Sequence, residues 1–165
     1  MVILAPVDGE AVPDSVVSVG YDLANAYDDD LVVMHVMPQK YFDEKQEETA
    51  LGTKGTVLAP EVDYGFESEP VGDRDAVTID EHGEPNAESV AHEVAKGTLD
   101  DLAGVSFQGR VGDPTKEILA EAERRDARHI VVGGRDRTPV GKAVLGSTTQ
   151  SVLLSSDRPV TRVSK

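Results

Sequence analysis

Apolar residues along the chain follow two alternating periods. Residues Val2 to Val7 (VILAPV) form an unbroken apolar run of strand length. A run with no polar face predicts a strand covered on both sides. Residues 13–27 then place Val16, Gly20, Leu23, Ala24 and Tyr27 at helical spacing. Asp28, Asp29 and Asp30 follow. Acids oppose the dipole at a helix C-terminus, so this triplet predicts a solvated turn. Leu31 to Val36 (LVVMHV) repeats the buried-strand pattern, and Pro38 stops it.

The rhythm resumes at Asn86, an N-cap residue after Pro85. Ala87, Ala91, Val94, Ala95, Leu99 and Leu102 give one helix face, which Gly104 ends. Val105 to Val111 alternates weakly and predicts a strand. Asp113-Pro114 pairs an N-cap with proline at the first helical position, and Ile118, Leu119 and Ala122 supply the apolar face. Asp126 to Arg128 turns the chain into a strand over His129 to Val132. A short helix from Ser147 to Leu154 and a strand over Pro159 to Val163 close the pattern.

Strands that alternate with helices predict a parallel sheet with helices on both faces. Residues 39–85 break the rhythm: they are acidic and carry glycine and proline. Their length predicts an insertion with local structure inside one domain spanning 1–165, not a second domain.

Composition narrows the function. The chain has 165 residues, 39% of them hydrophobic, which suits one domain with a sizeable core. Its 31 acids against 16 bases give a formal charge of −15. That balance excludes general binding to nucleic acid or to an anionic membrane. An acid-rich, lysine-poor surface also suits a protein kept soluble in a very salty cytoplasm. With 0 cysteines there is neither a disulfide framework nor a thiolate metal site. The N-terminus lacks the basic region and length of a signal peptide. No apolar stretch approaches the ~20 residues of a membrane span.

Against this acidic background, residues 130–151 (IVVGGRDRTPVGKAVLGSTTQS) stand out. A buried strand runs into Gly133-Gly134, and a loop bearing Arg135, Arg137 and Lys142 follows. It ends at Gly146-Ser147, where a helix pattern begins. Glycines let backbone N–H groups approach a ligand, and a helix N-terminus favours an anion. Basic side chains between two such points suggest a bound phosphate chain. A P-loop is excluded: its first glycine position holds Asp136, and Ala143 follows Lys142. A G-x-G-x-x-G turn after the first strand is also missing. His35, His82, His92 and His129 share no metal spacing. His35 and His129 fall in strands and read as packed, hydrogen-bonded residues.

The remaining pattern, Gly133-x-x-Asp136-(nine residues)-Gly146-Ser147, resembles the nucleotide-binding signature G-x-x-G-(nine residues)-G-[ST] of the universal stress protein family. The segments ILAPVDG, VVMHV, GRVGDPTKEIL and RPVTRV resemble that family's strands and strand-to-helix passages, in order. The resemblance covers residues 1–38 and 86–165 and, with the acidic surface, suggests a haloarchaeal-type member. It implies a Rossmann-like open sheet of five parallel strands, order 3-2-1-4-5. That order puts the ends of the first and fourth strands side by side, where open α/β sheets bind ligands.

What the resemblance implies for the site is specific. Pro6, Val7 and Asp8 would line the adenine side of ATP or a related nucleotide, and Val36 would close it. Val132 and Gly133 would face base and ribose. Arg135, Gly146, Ser147 and Thr148 would meet ribose and phosphates. Asp136 replaces the second signature glycine. Its carboxylate would repel phosphate unless arginine or a divalent ion such as Mg²⁺ or Mn²⁺ neutralises it.

Each position also has a purely structural reading. Asp8-Gly9 is a common turn pair. Ser147 to Gln150 (STTQ) fits a capping box. Arg135, Arg137 and Lys142 fit a solvated loop, and Gly133-Gly134 a tight strand exit. The resemblance further implies a cytoplasmic homodimer, joined through the last strand, with a regulatory and non-enzymatic role. A dimeric adaptor without nucleotide and a weak nucleotide hydrolase are the alternatives.

Overall fold

The computed structural model describes residues 1–10, 14–40, 83–134 and 146–164, with side chains from residue 86 in the third segment. Five strands form one parallel sheet of order β3-β2-β1-β4-β5. They are β1 (Val2–Val7), β2 (Asp30–Met37), β3 (Val105–Val111), β4 (Ala127–Gly134) and β5 (Val160–Ser164). The helices include α1 (Ser15–Tyr27), α2 (Gly83–Lys96), α3 (Pro114–Arg124) and α4 (Ser147–Ser155).

The unbroken apolar runs become central strands because helices cover both faces. Alternate β1 residues point to opposite sides. Ile3, Ala5 and Val7 join Val16, Val17, Ala24, Ala91 and Val94 in the core under α1 and α2. Leu4 joins Ile118, Ala122, Ile130 and Val152 in the core under α3 and α4. Gly20 lets α1 approach the sheet: a Cβ there would stand 3.0 Å from Leu31 Cδ1 and 3.3 Å from Ala5 Cβ.

Aspartates cap two of the helices. Asp14 Oδ1 accepts from Val16 N at 2.8 Å, and Asp14 N donates to Thr98 Oγ1 at 2.9 Å, which links α1 to the end of α2. Asp113 Oδ1 accepts from Lys116 N at 3.0 Å, with Pro114 in the first turn, as the sequence predicts.

Several boundaries differ from the sequence reading. α2 begins at Gly83, so Asn86 lies inside the helix and is not its N-cap. It ends at Lys96, because Gly97 favours termination, yet Leu99 and Leu102 still pack on the core from the following turns. The aspartate triplet is not a uniformly solvated turn. Asp28 takes the left-handed C-cap position at φ 55, and Asp30 opens β2. Asp29 is half-buried, with its carboxylate largely covered, and accepts from Arg128 Nε at 2.5 Å, with the Met1 amino group at 3.3 Å. That bond holds Asp29 below its ordinary 3.8, against a smaller opposing effect of burial. β4 starts at Ala127, earlier than expected, and a register shift between Val2 and Ile3 leaves Arg128 as an extra residue opposite β1. The greater part of the expected insertion, residues 41–82, lies outside the described residues.

Candidate functional site

The β1–β4 ladder ends at Leu4↔Ile130, whereas β1 continues to Val7 and β4 to Gly134. Beyond that point β1 stays paired with β2 through Val7↔His35, and β4 with β5 through Gly134↔Ser164. The two central strands therefore part company at their C-terminal ends. Their helices leave on opposite faces, α1 on one and α4 on the other. An open crevice at such a strand-order reversal is the common ligand position in this class of sheet.

One wall is the exit of β1. Pro6 is half-buried, Val7 is buried and Asp8 is exposed. Asp8 Oδ1 accepts from Glu10 N at 3.0 Å, so this carboxylate shapes its own turn. Gly9 takes φ +79, and a Cβ there would lie 2.8 Å from Val90 Cγ1. Val36 in β2 and Val132 in β4 are both buried, on the same face as Leu4.

The opposite wall is β4 and the start of α4. Gly133 is half-buried. A Cβ on Gly134 would meet the guanidinium of Arg162, at 2.3 Å from Nε and 2.6 Å from Cζ. Gly134 is thus the surface over which Arg162 of β5 lies. α4 starts differently from α1 and α3. Gly146 is its N-cap and brings no side chain to cap the first turn. Gln150 N closes the first helical bond to Gly146 O at 2.9 Å. The capping box expected of Ser147 and Gln150 does not form, because Ser147 is already the first helical residue. Beyond its chain neighbours, no heavy atom of the described residues lies within 4 Å of a Cβ placed on Gly146. The uncapped N–H groups of this turn carry the positive end of the helix dipole.

Pro6 and Val7 thus end β1 with Asp8 just beyond, Val132 and Gly133 lie near the end of β4, and Gly146, Ser147 and Thr148 form the start of α4. Val36 flanks β1 from β2. Arg135, Asp136, Arg137, Pro139 and Lys142 lie outside the described residues. Thr149, not singled out by the sequence reading, donates from Oγ1 to Gly133 O at 2.6 Å. Its signal was the helix start itself: with Gly146 as N-cap, Thr149 sits in the first turn and faces back toward β4.

Two cavities lie away from this crevice. One, of about 310 Å³, is lined by Arg110, Glu117, Ala120, Glu121 and Arg124. The other, of about 480 Å³, is lined by Glu88, Ser89, His92, Glu93 and Phe107. The first borders an ion cluster. Buried Glu121 accepts from Arg124 Nη2 at 2.5 Å, from Arg110 Nη2 at 3.4 Å, and from Arg125. Burial alone would raise the Glu121 pKa, but the Arg124 and Arg125 hydrogen bonds outweigh it and hold the carboxyl below 4.5. With both oxygens engaged, this cluster reads as the brace of α3 against β3. His35 is hydrogen-bonded as expected, from Nδ1 to Val7 O at 2.9 Å. His129 is packed but differs: it stacks near Tyr27, and its buried Nδ1 has no hydrogen-bond partner among the described residues. Among the described residues no three His, Cys, Asp or Glu side chains come together as a metal site.

A sequence profile of the universal stress protein family matches residues 1–164. The chain belongs to the universal stress protein family. Over 64 residues it is 45% identical to a universal stress protein of Mycolicibacterium smegmatis. That match covers 37% of this chain and 49% of the relative, so the chain matches about half the length of that curated protein. The structure of a universal stress protein from Archaeoglobus fulgidus superposes with TM-score 0.59 at 19% identity, covering 98% of this chain and 97% of its own. A universal stress protein crystallised in complex with cAMP superposes with TM-score 0.53 at 18% identity, covering 99% and 96%. At these identities the likeness establishes the universal stress protein fold. No helix among the described residues is long and apolar enough to cross a membrane.

Proposed function

We propose that this universal stress protein binds an adenine nucleotide, ATP or a relative, in the crevice between β1 and β4 and acts as a nucleotide-responsive regulatory module. The observation that carries the reading is the first turn of α4, whose N-cap Gly146 brings no capping side chain and whose Thr149 reaches Gly133, beyond the last β1–β4 pair. The relative solved with cAMP, itself an adenine nucleotide, supports the ligand class. Pro6, Val7 and Asp8 receive the base from one side, with Val36 behind them, and Val132 and Gly133 from the other. Gly146, Ser147 and Thr148 offer N–H and hydroxyl groups to ribose and phosphates. Arg135 adds positive charge there. Asp136 stands where the family signature has glycine, and its carboxylate would need Arg135, Arg137 or a divalent ion such as Mg²⁺ or Mn²⁺ to offset its repulsion of phosphate.

The role is regulatory and not enzymatic. Dimerisation through β5, an edge strand of the sheet, gives the two-fold assembly in which such a module works. The acidic surface, formal charge −15, suits a salt-rich cytoplasm. Residues 1–165 act as one domain, with the acidic segment 39–85 as an insertion.

Calorimetry with ATP and either metal tests the proposal. Binding is expected in the wild type, and Asp136→Gly is expected to tighten it by removing a carboxylate near phosphate. No binding in either protein, with either metal, contradicts the reading.

A further inference from the structure

The exit of β1 is held by a side chain that does not itself line the crevice. His35 is the β2 residue paired in register with Val7. Its Nδ1 lies 2.9 Å from the Val7 carbonyl oxygen. A carbonyl only accepts, so Nδ1 carries the hydrogen and donates. Val7 is the last residue of β1, and the β1–β4 ladder has already ended at Leu4. The strand end thus lacks β4 as a neighbour just where the chain turns out of the sheet. The same imidazole reaches the turn beyond. A Cβ on Gly9 would stand 3.8 Å from His35 Cε1 and 2.8 Å from Val90 Cγ1. One ring therefore fastens Val7 by a hydrogen bond and lies against the turn at Gly9.

We infer that His35 is a positioning residue: it fixes the Val7–Glu10 turn and so sets the height and angle of the β1 wall of the crevice. The hydrogen bond, more than the ring's bulk, carries this role, because it acts on the backbone atom from which the turn departs. The effect on ligand affinity rests on the nucleotide reading above; the effect on the turn does not.

Two substitutions separate donor from bulk. His35→Phe keeps an aromatic ring and removes the donor. His35→Asn removes the ring and keeps an N–H one bond from Cγ, where Nδ1 stands. Backbone order parameters are measured for Asp8, Gly9 and Glu10 without ligand, beside thermal melting and the ATP affinity. In His35→Phe the turn is expected to fall from about 0.85 to below about 0.6, with ATP affinity about tenfold weaker. In His35→Asn both return close to wild type. Unchanged order in His35→Phe, or equal loss in both variants, overturns the inference. If His35→Phe does not fold, the Asn variant decides alone: a loosened turn in a protein that melts normally overturns it, and wild-type order upholds it. Failure of the wild type to bind ATP contradicts the nucleotide proposal, and the ligand-free order parameters still decide the role of His35.

Discussion

Thr149 Oγ1 donates to the Gly133 carbonyl at 2.6 Å, joining the first turn of α4 to the end of β4. The chain between them, residues 135–145, leaves one element and enters the other. The bond therefore fixes the separation of two points that the proposed phosphate chain would span. Thr149→Val should cost about 1 kcal/mol of stability, the net worth of one hydrogen bond. Its effect on ATP affinity should be larger in proportion, about tenfold, and Thr149→Ser should restore both. Equal affinity for Thr149→Val and wild type would assign the bond to folding alone.

Glu121 makes stability depend on pH. Burial raises its pKa, but Arg124 and Arg125 bring it below the ordinary 4.5. A folded pKa below the unfolded value means that the stabilisation is present above about pH 4.5 and is lost as pH falls through the folded value. Asp29, held below 3.8 mainly by Arg128, acts in the same direction. Urea midpoints should therefore fall on acidification below these values. Glu121→Gln should flatten that limb and cost about 2 kcal/mol at neutral pH, less than a fully buried pair because the arginines remain partly in water. An unchanged acid limb in Glu121→Gln would remove Glu121 from the account.

Gly9 is required by its backbone as well as by its neighbours. At φ +79 an L side chain is strained, and its Cβ would collide with Val90 Cγ1 at 2.8 Å. Gly9→Ala should cost at least about 1–2 kcal/mol. In a domain of this size that lowers the melting temperature by several degrees, about 2–4 °C per kcal/mol. A melting temperature equal to wild type would show that the turn relaxes freely.

Self-association should respond to salt. With −15 formal charge, two chains repel at low ionic strength, and screening favours pairing along β5. Light scattering is expected to give a dimer in multimolar KCl and a larger monomer fraction in dilute buffer. A monomer in both conditions would rule out the proposed pairing.

The sheet was legible because parallel strands are buried on both faces. Val2–Val7 and Leu31–Val36 thus appear as unbroken apolar runs, and the structure returns them as β1 and most of β2. Asp113-Pro114 marked α3 because cap and proline act locally. What escaped depended on distant partners or on a shift of one residue. Asp29 looked like a solvated acid, since nothing near it in sequence announces Arg128 across the sheet. Ser147 looked like the N-cap because it heads a capping box, yet Gly146 takes that position and leaves the turn uncapped. The same shift hid Thr149. Arg162 gave no signal at all: its place over Gly134 comes from the β4–β5 register.

The central claim is that an adenine nucleotide occupies the β1–β4 crevice. Titrating ATP with Mg²⁺ into isotopically labelled protein, and following each backbone amide, tests it most directly. Saturable shifts are expected at Val7, Asp8, Gly133 and Gly146–Thr149, with β3 and the Glu121 cluster unmoved. Shifts confined to the β3 side, or none at millimolar ATP, would contradict it.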